Sequence, residues 1–213
     1  MKLNKIIKYL ILADLAFWTG WGLVTPVFPI FVVQNIVGGS AFVVGIATAI
    51  YWVTKSFLQY PAGLFLDHHK GDRDDYLFLL FGFLIASVIP LGYITARYPW
   101  QIYCFDFFYG LGMAMSVAGW RAIFTRNIDK GKEATEWSLD DAVLGLGTGI
   151  SSFVTGFLVF KFGFTPSFIF ATMLGSISVV FLLCLKNDIV GDYRGGIYAD
   201  IRDVFNFKKN KPF

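Results

Sequence analysis

Charged side chains are scarce in this sequence of 213 residues. Asp, Glu, Lys and Arg together make up 15% of the chain, whereas 56% of it is hydrophobic. A soluble globular domain carries about 25% charged residues, so this chain has too little polar surface to cover itself in water. The same composition excludes intrinsic disorder, which requires low hydrophobicity.

Residues that commonly bind metals or form disulfides are also scarce. The two cysteines, Cys104 and Cys184, lie inside apolar runs and form no CxxC pair, which excludes a disulfide framework, a cysteine zinc site and a redox dithiol. The two histidines, His68 and His69, are adjacent, and their spacing from the nearby acidic residues defines no ligand set. That acidic segment is therefore interpreted as a solvated loop and contains Asp72, Asp74 and Asp75. We expect no metal and no cofactor.

Long uncharged runs dominate the rest of the chain. The longest covers residues 15–54 and is interrupted by Gln34-Asn35 and by Gly38-Gly39-Ser40. A bilayer-spanning helix needs about 20 apolar residues, and the runs lack the alternation of barrel strands. The sequence therefore predicts six transmembrane helices, near residues 9–33, 41–66, 76–96, 100–121, 139–161 and 166–185. Gly20, Gly22, Pro26 and Pro29 indicate that the first of them can bend.

The distribution of Lys and Arg predicts the orientation in the membrane. The four segments on the amino-terminal side hold three, two, four and six of them, fifteen in total, and the opposite side holds only Arg97 and Lys161. Positive residues accumulate on the cytoplasmic side. Both termini are thus predicted to be cytoplasmic.

A weak internal repeat links the two halves of the chain. The segment that begins with Gly63 at the end of span two reappears at Gly156 at the end of span five, 93 residues later. The same offset brings Asp14 of span one to within one residue of Asp106 of span four. Many transporters consist of such inverted repeats, so we predict a 3+3 arrangement of the helices.

The loop between spans two and three carries a recognisable pattern. Transporters of the major facilitator superfamily have Gly-x-Leu-x-Asp-Arg-x-Gly-Arg-Arg at this place, and Gly63, Phe65, Asp67, Gly71 and Arg73 fall along it. The chain thus resembles the amino-terminal six-helix half of such a transporter. The resemblance implies a six-helix bundle over residues 1–188 and a cytoplasmic amphipathic tail or linker toward a second half over residues 189–213.

The resemblance also implies a cytoplasmic gate at this loop. Asp67 would meet a helix of a second half or of a homodimer partner, and Arg121 and Arg126 could hold the loop through salt bridges. Anchoring of the two arginines to anionic lipid explains them equally well.

Three ionisable residues, Asp14, Lys55 and Asp106, lie in the interior of predicted spans rather than at their ends, and charges at such places mark pathways or ion pairs. Lys55 lies between the two aspartates in depth, so we expect it to pair with either one, as a moving partner or as a static packing element. Trp18 and Trp52 could stack on a solute or pack between helices. These five residues form the predicted substrate and ion pathway.

The favoured function is secondary active transport of a small solute by alternating access, with proton coupling as an option. The alternative is a membrane module that pairs with another membrane protein and transports nothing. The spans contain no Ser/His or paired-Asp arrangement, which disfavours an enzyme. The expected partners are the lipid bilayer, the solute and a second six-helix half or homodimer partner, but not nucleic acid. The expected location is a bacterial or archaeal inner membrane.

Overall fold

The computed structural model describes residues 3–68 and 71–190, and these ranges contain seven helices and no strand. Six of the helices are long and apolar enough to cross a membrane. The all-α class with six spans is therefore confirmed. The helices are α1 (Lys5–Val24), α2 (Phe28–Asn35), α3 (Ala41–His68), α4 (Asp72–Thr95), α5 (Pro99–Asn127), α6 (Glu133–Phe162) and α7 (Phe164–Val190).

The first predicted span, residues 9–33, is two helices rather than one. Helix α1 ends at Val24, and the eight-residue α2 starts at Phe28, after three intervening residues, with Pro29 in its first turn. Pro26 lies in the break, where its ring removes a backbone donor. The Thr25 hydroxyl donates a hydrogen bond to the Trp21 carbonyl oxygen (2.9 Å) and satisfies one acceptor of the interrupted helix. The bend predicted from the glycines and prolines is thus a helix break.

The other spans extend beyond their predicted ends. Helix α5 continues to Asn127, and α6 begins at Glu133, six residues before the predicted start. Polar residues remain helical where a span emerges from the bilayer. Reading uncharged runs alone therefore underestimates helix length.

The packing of the helices follows a two-fold pattern. Helix α1 leads the first three spans and packs against α6 and α7 of the last three. Helix α5 leads the last three spans and packs against α3 and α4 of the first three. Helices α4 and α7 contact each other and join the two sets. Exchanging spans one, two and three with spans four, five and six reproduces every one of these interfaces. This is the pattern expected of an inverted repeat.

Individual positions follow the same symmetry at an offset of 92 residues. This offset relates Asp14 to Asp106 and Gly20 to Gly112. A Cβ atom on Gly20 would lie 2.8 Å from a backbone oxygen of α7, and one on Gly112 would lie 2.8 Å from the Gly82 oxygen of α4. Both leading helices therefore approach their neighbours through a glycine at the equivalent place.

Helices α3 and α6 are the least covered of the six spans. Their most apolar segments are 17% and 11% buried, whereas the corresponding values for the other spans lie between 44% and 61%. Large side chains such as Phe57 and Phe153 project from them into the surroundings. The boundary predicted at residue 188 stays a prediction: α7 continues to Val190, and the rest of the tail lies outside the described residues.

Candidate functional site

An acidic cavity opens at the junction of α1, α5 and α6, and we define it by the carboxyl groups of Asp14, Asp140 and Asp141. Its volume is about 160 Å³. Asp14 and Asp140 are 7% and 3% exposed, whereas Asp141 is exposed at the mouth. At a rise of about 1.5 Å per residue, Asp14 lies about 14 Å from the start of α1 and Asp140 about 11 Å from the start of α6. Both positions are on the side of the membrane where α1 begins, called here the amino-terminal side.

Three indole rings complete the walls of the acidic cavity. They belong to Trp18 of α1, Trp120 of α5 and Trp137 of α6. The rings of Trp120 and Trp137 meet at 61° with centroids 5.4 Å apart and form an aromatic corner. The cavity therefore combines negative charge with aromatic faces, and it is composed of both repeats.

The charges in the acidic cavity are not balanced. The carboxyl groups of Asp14 and Asp140 interact electrostatically, and Oδ1 of Asp140 is buried without a hydrogen-bond partner. Within residues 3–68 and 71–190, no cation forms a salt bridge with any of the three aspartates. Arg121 lines the cavity at its exposed end. One guanidinium thus faces three carboxyl groups.

A stack of aromatic rings occupies the middle of the bundle. Tyr109 of α5 lies between Trp21 and Tyr51, with ring centroids 3.8 Å and 4.6 Å away. Trp52 follows Tyr51 in the chain, but its ring is 55% exposed. Of the two tryptophans predicted for the pathway, Trp18 therefore lines a cavity, whereas Trp52 faces the surroundings.

Lys55 does not form the ion pair expected from its depth. Its Nζ atom lies 4.9 Å from the ring centroid of Trp52 and 5.8 Å from that of Tyr51, and in the described part of the chain it pairs with neither Asp14 nor Asp106. The rise along a helix gives depth only, and the side chain leaves α3 toward the aromatic rings. In this conformation the lysine makes cation–π contacts.

Asp106 lies in a separate site near the opposite side of the membrane. It is 5% exposed, its carboxyl group interacts with the Tyr93 hydroxyl, and its Oδ2 atom has no hydrogen-bond partner among the described residues. Tyr109 is one helical turn away on α5. The residue sits seven positions from the start of α5, about 11 Å along the helix. Asp106 thus lies in the first half of the 29-residue α5, whereas Asp14 lies about halfway along the 20-residue α1.

The residues of the predicted gate line a groove between α3 and α5. Gly63 and Asp67 of α3 face Arg121 of α5 across about 510 Å³ of open space. Gly71 precedes α4 as its extended N-cap, and Arg73 lies in the first turn of that helix. The structure therefore brings Gly63, Asp67 and Arg121 to one groove, and it places Arg121 at the border between this groove and the acidic cavity.

Arg126 forms ion pairs with aspartates at the start of α4, instead of the predicted salt bridge to the Asp67 loop. Its guanidinium forms ion pairs with Asp72 (Nε to Oδ1, 3.3 Å) and with Asp75. Asp74 and Asp75 are 4% and 1% exposed. The interpretation of this acidic segment as a solvated loop is therefore wrong, because the aspartates form the first turn of a helix packed against α5. The carboxylates also suit the positive end of the α4 dipole.

Asp140 and Trp137 are the site residues that the sequence reasoning missed. The predicted span 139–161 places Asp140 in its first turn, where a charged residue ordinarily meets water, and leaves Trp137 outside. A signal was present, because Trp137 and Asp140 are three residues apart and share one face of a helix. Helix α6 begins at Glu133, so both residues lie within it.

Comparison with known proteins agrees with this architecture. The family model described as the Major Facilitator Superfamily matches residues 10–194. Among solved structures, the chain is similar to the POT family transporter PepTSo, crystallised in meso, with a TM-score of 0.68 and 16% sequence identity. That match covers 89% of this chain and 39% of the transporter, so the chain spans about two fifths of its length. No curated protein matches the chain. The family match extends over most of the sequence, and the chain therefore belongs to the major facilitator superfamily, as an integral multi-pass membrane protein.

Proposed function

We propose that this chain carries out secondary active transport of a small solute by alternating access. The observation that carries the proposal is the pair Asp14 and Asp106, equivalent in the two repeats, buried inside the bundle and on helices that run in opposite directions. An ionisable residue inside a membrane protein marks a pathway. Repeats of inverted orientation can exchange conformations, so that each carboxyl group becomes accessible from its own side in turn.

The proposal includes a second six-helix unit. The weak coverage of α3 and α6 leaves the outer faces of two helices exposed in the described part of the chain, one lining the groove beside Asp67 and the other lining the acidic cavity. A second half or a second copy of this chain would supply the other wall of the pathway. Cysteines introduced at Asp67 and Arg73 test this: a disulfide-linked species of higher mass supports a partner at this face, and monomer alone in native membranes contradicts it.

We further propose that both termini are cytoplasmic, in a bacterial or archaeal inner membrane, and that proton exchange at Asp106 couples to solute movement. The distribution of Lys and Arg supports the orientation. The unpartnered Oδ2 of Asp106 supports the coupling, because that oxygen is available to a proton. A gradient of pH across reconstituted vesicles should therefore shift the balance between the two access states.

Thiol labelling can follow both access states without knowledge of the solute. In a background with Cys104 and Cys184 replaced by serine, single cysteines at Thr25 and Val117 report on equivalent positions of the two repeats. We expect an impermeant maleimide to label Val117→Cys from the amino-terminal side and Thr25→Cys from the opposite side. A pH gradient should raise one rate and lower the other.

The Asp106→Asn variant is the control for coupling. It should keep both labelling patterns and lose their response to the pH gradient. Labelling rates that never change in opposite directions would contradict alternating access and favour a membrane module that transports nothing.

A further inference from the structure

We infer that the acidic cavity binds a small organic ammonium ion. The cavity combines the two features that recognise such a cation, carboxylates and aromatic faces, and all of its lining belongs to this one chain. The inference deepens the proposed function by naming a substrate class. It rests on that function for the transport of the ion and on the cavity alone for its binding.

The charge of the cavity favours a cation. Asp14 and Asp140 are each more than nine-tenths buried and line the site, and Oδ1 of Asp140 has no hydrogen-bond partner among the described residues. Burying a charge without a partner is costly, and a bound cation offsets this cost. Arg121 neutralises at most one of the three carboxyl groups and lies at the exposed end, where solvent and the groove beside Asp67 also reach it.

The aromatic rings favour an organic cation over a metal ion. Indole faces attract ammonium groups through the negative charge of their π-systems, and quaternary ammonium ligands are bound by aromatic cages. Trp18, Trp120 and Trp137 line the cavity, where Trp120 also stacks on Phe124 with ring centroids 4.4 Å apart and meets Trp137 in a T-shaped contact. Within the described ranges, no group of three His, Cys, Asp or Glu side chains converges as metal ligands. A metal ion would therefore lack the oxygen ligands that it requires.

Access to the cavity fits a ligand that enters from the amino-terminal side. Asp141 and Arg121 lie at the mouth and are exposed, whereas Asp14, Asp140 and Trp120 lie deeper. An ammonium ion would first meet Asp141 and then exchange water for the indole faces. The buried pair Asp14 and Asp140 would hold its charge from two different repeats.

Binding can be measured on the purified chain in nanodiscs by titration with tetramethylammonium chloride, with tryptophan fluorescence as the signal. Three tryptophans in the cavity make a saturable change in emission the expected result. Sodium chloride at equal ionic strength and tert-butanol, a neutral molecule of similar shape, are the matched ligands and should give no saturable change. An equal response to either of them overturns the inference.

Variants assign the signal to the cavity. Asp14→Asn and Asp140→Asn should each weaken tetramethylammonium binding at least tenfold, whereas Asp188→Asn, at an exposed ion pair with Lys5, should leave it unchanged. Trp137→Leu should weaken binding severalfold, and Trp137→Phe should restore part of the loss. Folded variants, judged by gel filtration, that bind as tightly as the parent would overturn the inference.

The binding result is independent of transport. If tetramethylammonium does not bind while the cysteines at Thr25 and Val117 still report alternating access, the substrate class is wrong and the transporter remains. If it binds and access never alternates, the cavity is a cation site and the proposed transport is wrong.

Discussion

Asp14 and Asp106 occupy equivalent positions in the two repeats, yet their surroundings differ. Asp14 faces a second buried carboxyl group, Asp140, and three indole rings. Asp106 faces the hydroxyl of Tyr93 and lies one turn from Tyr109. At the offset of 92 residues, the position that corresponds to Asp140 is Thr48. The repeat thus reproduces one carboxyl group on each side of the membrane, and only one side receives the second.

The difference teaches that symmetry of the backbone need not imply symmetry of the chemistry. The repeat fixes where α1 and α5 pass their neighbours, because the glycines at these crossings leave no room for a side chain. The side chains that face the pathway carry no such constraint. One side can therefore present charge and aromatic faces to a cation while the other presents hydroxyl groups.

Equivalent glycines provide the strongest test of the repeat. Gly20→Val and Gly112→Val should each lower the free energy of unfolding by about 1–3 kcal/mol or more, because each new Cβ atom meets a backbone oxygen at 2.8 Å. Thermal unfolding of the purified chain in detergent measures both. Gly145→Val is the control, since its Cβ would meet no atom within 4 Å. Unequal losses in the two glycine variants would break the structural equivalence.

Different interactions hold the helix ends on the two sides of the membrane. Removing these interactions should lower the free energy of unfolding by different amounts. On the amino-terminal side, Arg126→Ala leaves the buried Asp75 without its cation and should destabilise the chain by about 1–3 kcal/mol. The guanidinium is partly exposed, which favours the lower part of this range. The equivalent of Asp75 is Ser167, which is hydrogen-bonded to Thr155 at 2.9 Å.

Thr155→Val removes that neutral contact together with the hydrogen bond from the Thr155 hydroxyl to the Leu23 carbonyl oxygen (2.7 Å), and should cost about 1 kcal/mol. Denaturation midpoints of the two variants give the comparison. Adding Asp75→Asn to Arg126→Ala should recover part of the loss, because the buried charge disappears with its partner. A larger loss of stability in Thr155→Val than in Arg126→Ala would contradict the prediction that the charged contact on the amino-terminal side stabilises the chain more.

Lys55 distinguishes the first repeat from the second, where the equivalent position is Gly147. Because the ammonium group contacts rings at a partly exposed site, Lys55→Met should lower the free energy of unfolding by about 0.5–1 kcal/mol. Lys55→Arg should keep the contact with Trp52 and the stability. Calorimetry of the two variants measures these changes in stability. A loss of stability well above this range in Lys55→Met would show that Lys55 pairs with a buried carboxyl group.

The smallest effect is expected in the loop before α6. The hydrogen bond from Lys132 to Asp129 (2.7 Å) raises the pKa of Lys132 above its usual value of 10.5. Its contribution to stability is complete below that value and disappears as the pH rises through the higher pKa of the folded state. Melting temperatures of Lys132→Met and the parent should differ slightly at pH 7 and converge as the pH rises through the raised pKa of Lys132. A difference that grows with pH would contradict this ion pair.

The sequence was sufficient to predict the number of spans and the repeat, because long apolar runs have few alternatives in a bilayer. It placed Asp14 and Asp106 inside spans correctly, since that prediction requires only position along a helix. It could not predict that Lys55 contacts Trp52, because the direction in which a side chain leaves a helix depends on the packing of the helix. The glycines and prolines of the first span predicted a bend. That the helix breaks after Val24 could not be predicted, because it depends on contacts with neighbouring helices.

The acidic cavity was less accessible to sequence reasoning for a different reason. Asp140 lies at the end of a polar stretch, where a charged residue ordinarily meets water. Its burial results from the packing of α6 against α1, two spans that are more than a hundred residues apart in the chain. Pairs of buried charges on distant segments can be recognised only when the tertiary arrangement is known.

The turn at Gly163 has a mechanical consequence. This single residue, with φ of 78°, joins α6 to α7, whereas the five residues 128–132 connect α6 to α5 at the other end. Helix α6 is therefore tethered closely at Phe162 and loosely at Glu133. With a pivot at Phe162, Asp140 lies on a lever arm of about 33 Å, and a tilt of about 5° would move it by about 3 Å. Small rotations of α6 would thus be amplified at the carboxyl group that completes the cavity.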